Sequence, residues 1–259
     1  MATRAREVGP SPKRLWHYAT KRLGLKSFFE QPGDRRKDPR IPGRDLLWAQ
    51  VVAQLLREHS FHGIEALVNS TARRNLMIRR AFGDDALGYF NSRVDPDPIR
   101  QGLSSIARRA KRNKAFAHSG SIGLAIDGTG AGRRQEHGCD LCHPIKTQDG
   151  KTHGYNHKLC MAAVVGVGMT LPLDIEPYGP GDSEYAAGGR LLERLVGNLG
   201  KRFADHVVVD AGFSTAPFLK CARKAGLRVV ARLKANLPEL YTAARQRFES
   251  EPAHRELAV

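Results

Sequence analysis

From Asp45 onward the apolar positions recur at helical spacing. In RDLLWAQVVAQLLREHS, Leu46, Leu47, Val51, Leu55 and Leu56 share one face behind Asp45, which the pattern casts as the helix cap. FHGIEALVNS and RRNLMIRRAFG predict two further short helices, and DPDPIRQGLSSIARRAKRNKAFA opens on an Asp–Pro turn and continues as a strongly basic helix. At residue 121 the period changes. SIGLAID (121–127), HKLCMAAVVGV (157–167) and TLPLDIEPY (170–178) are apolar runs with the length and composition of three consecutive strands. SEYAAGGRLLERLVGNLG (183–200) then carries Tyr185, Leu191, Leu192, Leu195, Val196 and Leu199 at helical spacing, despite Gly188 and Gly189. HVVVD (206–210) reads as a compact buried strand, TAPFLKCARKAG (215–226) as a helix with Pro217 in its first turn and Gly226 at its end, and LRVVARLK (227–234) as another strand. A last helix is expected at 237–249. The succession β-β-β-α-β-α-β predicts an α/β fold whose mixed sheet carries helices on its faces, preceded by a mostly helical region.

Charge divides the chain in the same place. Of 42 Lys and Arg against 26 Asp and Glu, residues 1–120 hold 24 against 11 and residues 121–259 hold 18 against 15, so most of the surplus of +16 lies in the helical half. A polyanion is the partner such a surplus fits. Residues 1–43 mix Pro, Gly and Arg around LWHYATKRLGLKSFF and read as a basic, partly disordered arm, with a helical DNA-binding region at 44–120 and a third part at 121–259. The 41% of apolar residues suffices for a core. The longest apolar stretch, CMAAVVGVGM at 160–169, is far below the roughly 18 residues that span a bilayer, and no secretory leader pattern opens the chain. Four cysteines do not make a disulfide scaffold. A cytoplasmic, nucleoid-associated location is expected, with no membrane partner.

Two acids stand at the ends of apolar strands. Asp127 is followed by Gly128, Thr129 and Gly130, and Asp210 by Ala211 and Gly212. Either one alone reads as a turn residue bonding to its own backbone. Should the two strands be neighbours, their carboxylates meet at one edge and repel unless a divalent cation lies between them. Two Mg²⁺, or Mn²⁺, roughly 3.5–4 Å apart suit in-line attack on a phosphodiester by water or a 3′-hydroxyl.

The strand order, AIDGTG, VVVDAGFSTAPFLKCARKAG and LRVVARLKANLPELY resemble the DDE transposases of bacterial insertion sequences, in the RNase H-like group named after insertion sequence four. DLLWAQVVAQLLREHSFHGIEAL, VDPDPIRQGL and LPLDIEP extend the resemblance over roughly residues 45–248. It implies an RNase H-like catalytic domain, Mg-dependent DNA cleavage and strand transfer, insertion-sequence ends and target DNA as partners, a homodimer, and Asp127 and Asp210 as the first two metal-binding catalytic acids. The family's third acid is a Glu on a later helix. This chain runs only 25 residues beyond Lys234, so the Glu is expected to be missing and the copy truncated; Glu239, Glu249 and Glu251 lie in the right direction, Glu249 at 39 residues from Asp210. The alternative is a non-catalytic DNA-binding remnant, or a stand-alone nuclease using Glu249.

EHGCDLCHPIKTQDGKTHGYNHKLC gathers His137, Cys139, Cys142, His143, His153, His157 and Cys160. Cys139 and Cys142 have zinc-knuckle spacing, with His153, His157 and Cys160 available to complete a tetrahedron. The resemblance favours a structural Zn²⁺ on Cys139, Cys142 and His157; unliganded thiols and surface histidines are the other reading. CDLCH also fits c-type haem attachment, which a motif between strands with no export signal argues against. Lys234, just past the last strand, is either a phosphate contact or a solvated strand end. His59 and His62 receive no role.

Overall fold

In the helical part the largest side chains meet around Trp48. Trp16 and Phe29 stack against it with ring centroids 4.8 and 5.5 Å away, and its indole N–H donates to the Leu76 carbonyl at 2.9 Å. The computed structural model describes residues 12–116, 120–166, 168–234 and 237–250; the start of the expected arm, residues 1–11, and Glu251 lie outside them. Within the described residues the expected arm is largely helical up to Glu30: α1 (Pro12–His17), a π-helical turn (Tyr18–Arg22) and α2 (Lys26–Glu30), with Ala19, Phe29 and Leu25 of the link between the last two in the buried core. Aromatic residues among the Arg and Pro of this stretch hold it there.

The next helices are α3 (Gly43–Leu55), α4 (Phe61–Asn69), α5 (Asp84–Asn91) and α6 (Asp97–Arg112). α3 begins behind Pro42, three residues earlier than a cap at Asp45 implies. Asp45 is therefore a buried first-turn residue paired with Arg44, not the cap. RRNLMIRRAFG holds no α-helix beyond a 3₁₀ turn at Thr71–Arg74. Met77 takes φ 61°, which interrupts a helix, and Leu76, Ile78 and Phe82 enter the core from irregular backbone. α5 escaped the sequence pattern because only Leu87 and Phe90 of its eight residues are buried.

The chain divides into two compact units between Arg109 and Ala110, whereas the sequence pattern sets the change at residue 121. The second unit contains β1 (Gly123–Arg134), β2 (Cys142–Lys146), β3 (Thr152–Val165), β4 (Leu171–Tyr178), α7 (Glu184–Leu199), β5 (His206–Val209), α8 (Ala216–Lys224), β6 (Arg228–Ala231) and α9 (Pro238–Ser250). The sheet runs β2-β3-β1-β5-β6, with β4 pairing β3 beyond β2. Setting β2 aside, the order β4-β3-β1-β5-β6, antiparallel through β1 and parallel from there to β6, is the RNase H-like mixed sheet expected. β2 was not foreseen: CHPIK is short and polar, and its proline suits an edge position.

One face of the sheet is packed. Leu124 and Ile126 of β1, Ala162 and Val164 of β3, Leu173 of β4 and Val207 and Val209 of β5 are buried, and α7 lies against β1, β3 and β4 while α8 lies against α7 and β6. The alternate residues point the other way. Met161, Ile175 and Val230 remain 42–53% exposed there, and Asp127 shares that open face.

Candidate catalytic and metal centres

Parallel pairing of β1 with β5 sets Leu124 opposite Val207 and Ala125 opposite Val208. Two residues further along both strands stand Asp127 and Asp210. Since side chains alternate, both follow Ala125 and Val208 onto the open face, on neighbouring strands and at the same end. β1 does not stop at Asp127 as the apolar run implied. It continues to Arg134 in a hairpin with β3, so Asp127 lies where β1 loses β5 but keeps its other neighbour.

Each carboxylate is held by backbone through one oxygen. The Gly128 N–H donates to Asp127 Oδ1 at 2.9 Å, and the Gly212 N–H to Asp210 Oδ1 at 2.8 Å, Asp210 capping a 3₁₀ turn at Ala211–Phe213. The second oxygen of Asp210 faces Lys234, whose Nζ is 3.8 Å from Oδ2. Carboxylate oxygens are hard donors of the kind Mg²⁺ or Mn²⁺ takes. Among the described residues, no group of three or more donor atoms mutually within 4.8 Å includes either aspartate. Glu249 sits on α9, which buries no residue, and pairs with Arg245 at 2.9 Å; Glu239 lies in that helix's first turn.

A second centre forms where the hairpin closes. Pairing of β2 with β3 sets Cys142 opposite His157, and the turn before β2 brings Cys139 to both. The sulfurs are 3.8 Å apart, and His157 Nε2 is 3.2 Å from Cys139 Sγ and 3.4 Å from Cys142 Sγ. Two sulfurs about 2.3 Å and a nitrogen about 2.0 Å from a common ion span tetrahedral edges of about 3.5–3.8 Å, so the three donors fit zinc with little adjustment. The Cys142 thiol is pulled down to about 6, first by a backbone hydrogen bond with Gly138 and further by those with Cys139 and His157, against the effect of burial. It is a ready thiolate.

The other ligand candidates drop out. Cys160 is fully buried, donates to the Glu184 carbonyl at 3.2 Å, and is pushed up to about 12 by burial and by the nearby Glu184 and Asp127 carboxylates. His153 joins no such group, and His143 bonds to the Tyr178 carbonyl through Nε2 at 2.9 Å. One thing escaped the sequence pattern: His62, given no role there, gathers with Glu65 and Asp84 on an exposed surface. Lys234, expected near the acids from its place after the last strand, reaches Asp210. Only the fold brings α4 and α5 together, or the end of β6 to the end of β5.

The basic side chains of α6 are not all free for a partner. Lys111 Nζ donates to the Phe203 carbonyl at 2.7 Å and lies over that ring, whereas Arg108 and Arg112 are exposed. No helix among the described residues is long and apolar enough to cross a membrane.

No family model and no curated protein matches the chain. Solved transposases resemble it. A cryo-EM structure of the piggyBac transposase synaptic complex with hairpin DNA is similar over 98% of this chain and 56% of its own, with 14% identity and a TM-score of 0.40. The Mos1 transposase paired-end complex with left transposon end follows at 13% identity, 93% and 75% coverage and a TM-score of 0.28. The Drosophila P element transposase strand transfer complex gives 9%, 92% and 51%, and 0.29. The chain thus spans little more than half the length of the piggyBac and P element proteins.

Proposed function

We propose that this chain is a DNA transposase of the DDE type from a bacterial insertion sequence, with Asp127 and Asp210 as two of its metal-binding acids. One observation carries the reading: the parallel register of β1 and β5 sets both carboxylates on one face at one end of the sheet, each steadied by a backbone N–H. Asp127 and Asp210 stand on one face of neighbouring strands, beyond Ala125 and Val208, an arrangement in which a divalent cation relieves the repulsion of two carboxylates. The charge of +16, concentrated before residue 121, supports a DNA partner.

The residues divide the work. Asp127 and Asp210 would hold Mg²⁺ or Mn²⁺ through the oxygens their backbone bonds leave over, and those bonds keep the carboxylates aimed without reorganisation. When bound, the metal supplies an activated water or 3′-hydroxyl and neutralises charge on the leaving oxygen. The open sheet face lets a phosphodiester approach. Cys139, Cys142 and His157 would hold a structural Zn²⁺ that closes the β1–β3 hairpin. A homodimer, pairing two transposon ends, belongs to the same proposal.

The test is Mg²⁺-dependent nicking of duplex DNA, with binding measured alongside. Asp127→Asn and Asp210→Asn are each expected to abolish nicking by at least about 100-fold while leaving salt-sensitive binding intact. Nicking that survives both substitutions would refute the assignment. Salt-sensitive DNA binding with no Mg²⁺-dependent cleavage would instead favour a DNA-binding remnant.

A further inference from the structure

The two-aspartate centre already contains a cation. Lys234 Nζ stands 3.8 Å from Asp210 Oδ2, the oxygen that the turn leaves over once Gly212 has taken Oδ1. Its place is set by backbone. The Arg232 N–H donates to the Val209 carbonyl, carrying the end of β6 alongside the end of β5, and the Leu237 N–H donates to the Lys234 carbonyl. The pair is open to solvent, with side chains 54% and 44% exposed, so ions and a polyanion can reach it.

Resting on the two-aspartate reading above, we propose that Lys234 is a tethered counter-cation of this centre: it occupies Asp210 while the metal is absent and moves to a phosphate of the bound strand when the metal arrives. The charges require the exchange. A divalent ion taking Asp210 Oδ2 removes the lysine's partner and sets a like charge beside the ammonium, which a flexible four-carbon stem carries away easily. The anion within reach of that stem, once DNA lies on the open face, is the phosphate the acids are processing. Lys234 is on this account a positioning residue whose DNA contact depends on metal loading.

The experiment uses the full chain with Mn²⁺ as probe. Free Mn²⁺ is followed by electron paramagnetic resonance without DNA, and only binding lost in Asp127→Asn is counted. Lys234→Met and Lys234→Gln are each expected to bind that Mn²⁺ about 2- to 5-fold more tightly, the range of an exposed ion pair removed from competition. With saturating Mn²⁺, the slope of log DNA affinity against log salt should be shallower by about one in either variant, and without Mn²⁺ it should equal that of the unaltered protein. Unchanged or weaker Mn²⁺ binding would make Lys234 a solvated strand end and overturn the proposal. A slope change of equal size with and without metal would also overturn it, as a permanent phosphate contact. If Asp127→Asn removes no Mn²⁺ binding from the unaltered protein, the two-aspartate reading itself falls, a result separate from either of the others.

Discussion

Neighbouring residues of one type serve opposite ends in α7. A Cβ on Gly188 would run into the ring of Phe213, itself 1% exposed and three residues past Asp210, whereas a Cβ on Gly189 would meet nothing within 4 Å. Gly188→Ala should therefore cost about 1–3 kcal/mol in denaturant unfolding, partly relieved by Phe213→Leu. Gly189→Ala should stabilise by about 0.5–1 kcal/mol through helix propensity alone. The sequence marks both glycines as anomalies in a helix without telling them apart, because the difference lies in a ring from another part of the chain. Cys142 yields a second residue-scale expectation. Its thiol is lower folded than free, so the thiolate's contribution to stability is present above the ordinary thiol range and is lost as pH falls through about 6. Co²⁺ titrated into the protein at pH 7.5 should give sulfur-to-metal charge-transfer absorption that weakens on acidification as protons compete with the metal, and Cys142→Ser should remove most of it. No such absorption at pH 7.5 would contradict the assigned thiolate ligand.

At the scale of elements, α7 is clamped to β4 by charge as well as by its leucines. Arg194 donates to the buried Asp174 carboxylate at 2.7 Å and to Glu176 at 2.6 Å, and Arg190 joins Glu176 to Asp182 at the start of the helix. Removing Arg194 leaves a carboxylate whose side chain is 3% exposed short of its main counter-charge. Arg194→Ala should lower unfolding stability by about 2–4 kcal/mol, and Arg194→Lys, which cannot bridge two acids in the same fork, should recover only part of it. A loss below about 0.5 kcal/mol would mean that α7 is held by apolar packing alone. Most elements were legible from period alone: α4, α6, α7, α8, β4, β5 and β6 lie close to where the apolar runs place them, while β1 and β3 extend well past theirs into the polar hairpin. RRNLMIRRAFG was misread because its apolar residues serve the core from irregular backbone, and β2 was missed because a strand that pairs on one side needs no apolar alternation.

For the whole molecule the dominant expectation is electrostatic. A surplus of +16, with 24 basic against 11 acidic residues before position 121, implies DNA affinity that falls about 10- to 1,000-fold between 50 and 200 mM salt. A titration of fluorescent duplex against salt checks this. Flat affinity would remove the polyanion from the account. Some of the surplus is internal, as Lys111 on the Phe203 carbonyl illustrates, so the measured slope should report fewer contacts than the total charge suggests.

Local chemistry in the sequence determined a good deal without help. Apolar period specified the class of most elements, the shift in charge and period near residue 121 separated a basic helical part from an α/β part, and two acids and a CxxC were singled out by their neighbours. Tertiary structure alone decided which of these meet. The β1–β5 register sets residues 127 and 210 on one face of neighbouring strands, the β2–β3 register selects His157 over His153 and Cys160, and the end of β6 delivers Lys234 to Asp210. The physical reason is range. Period and turn preference act over a few residues and can be read along the chain, whereas a site is made of side chains far apart in sequence, whose distances are set by strand pairing and packing.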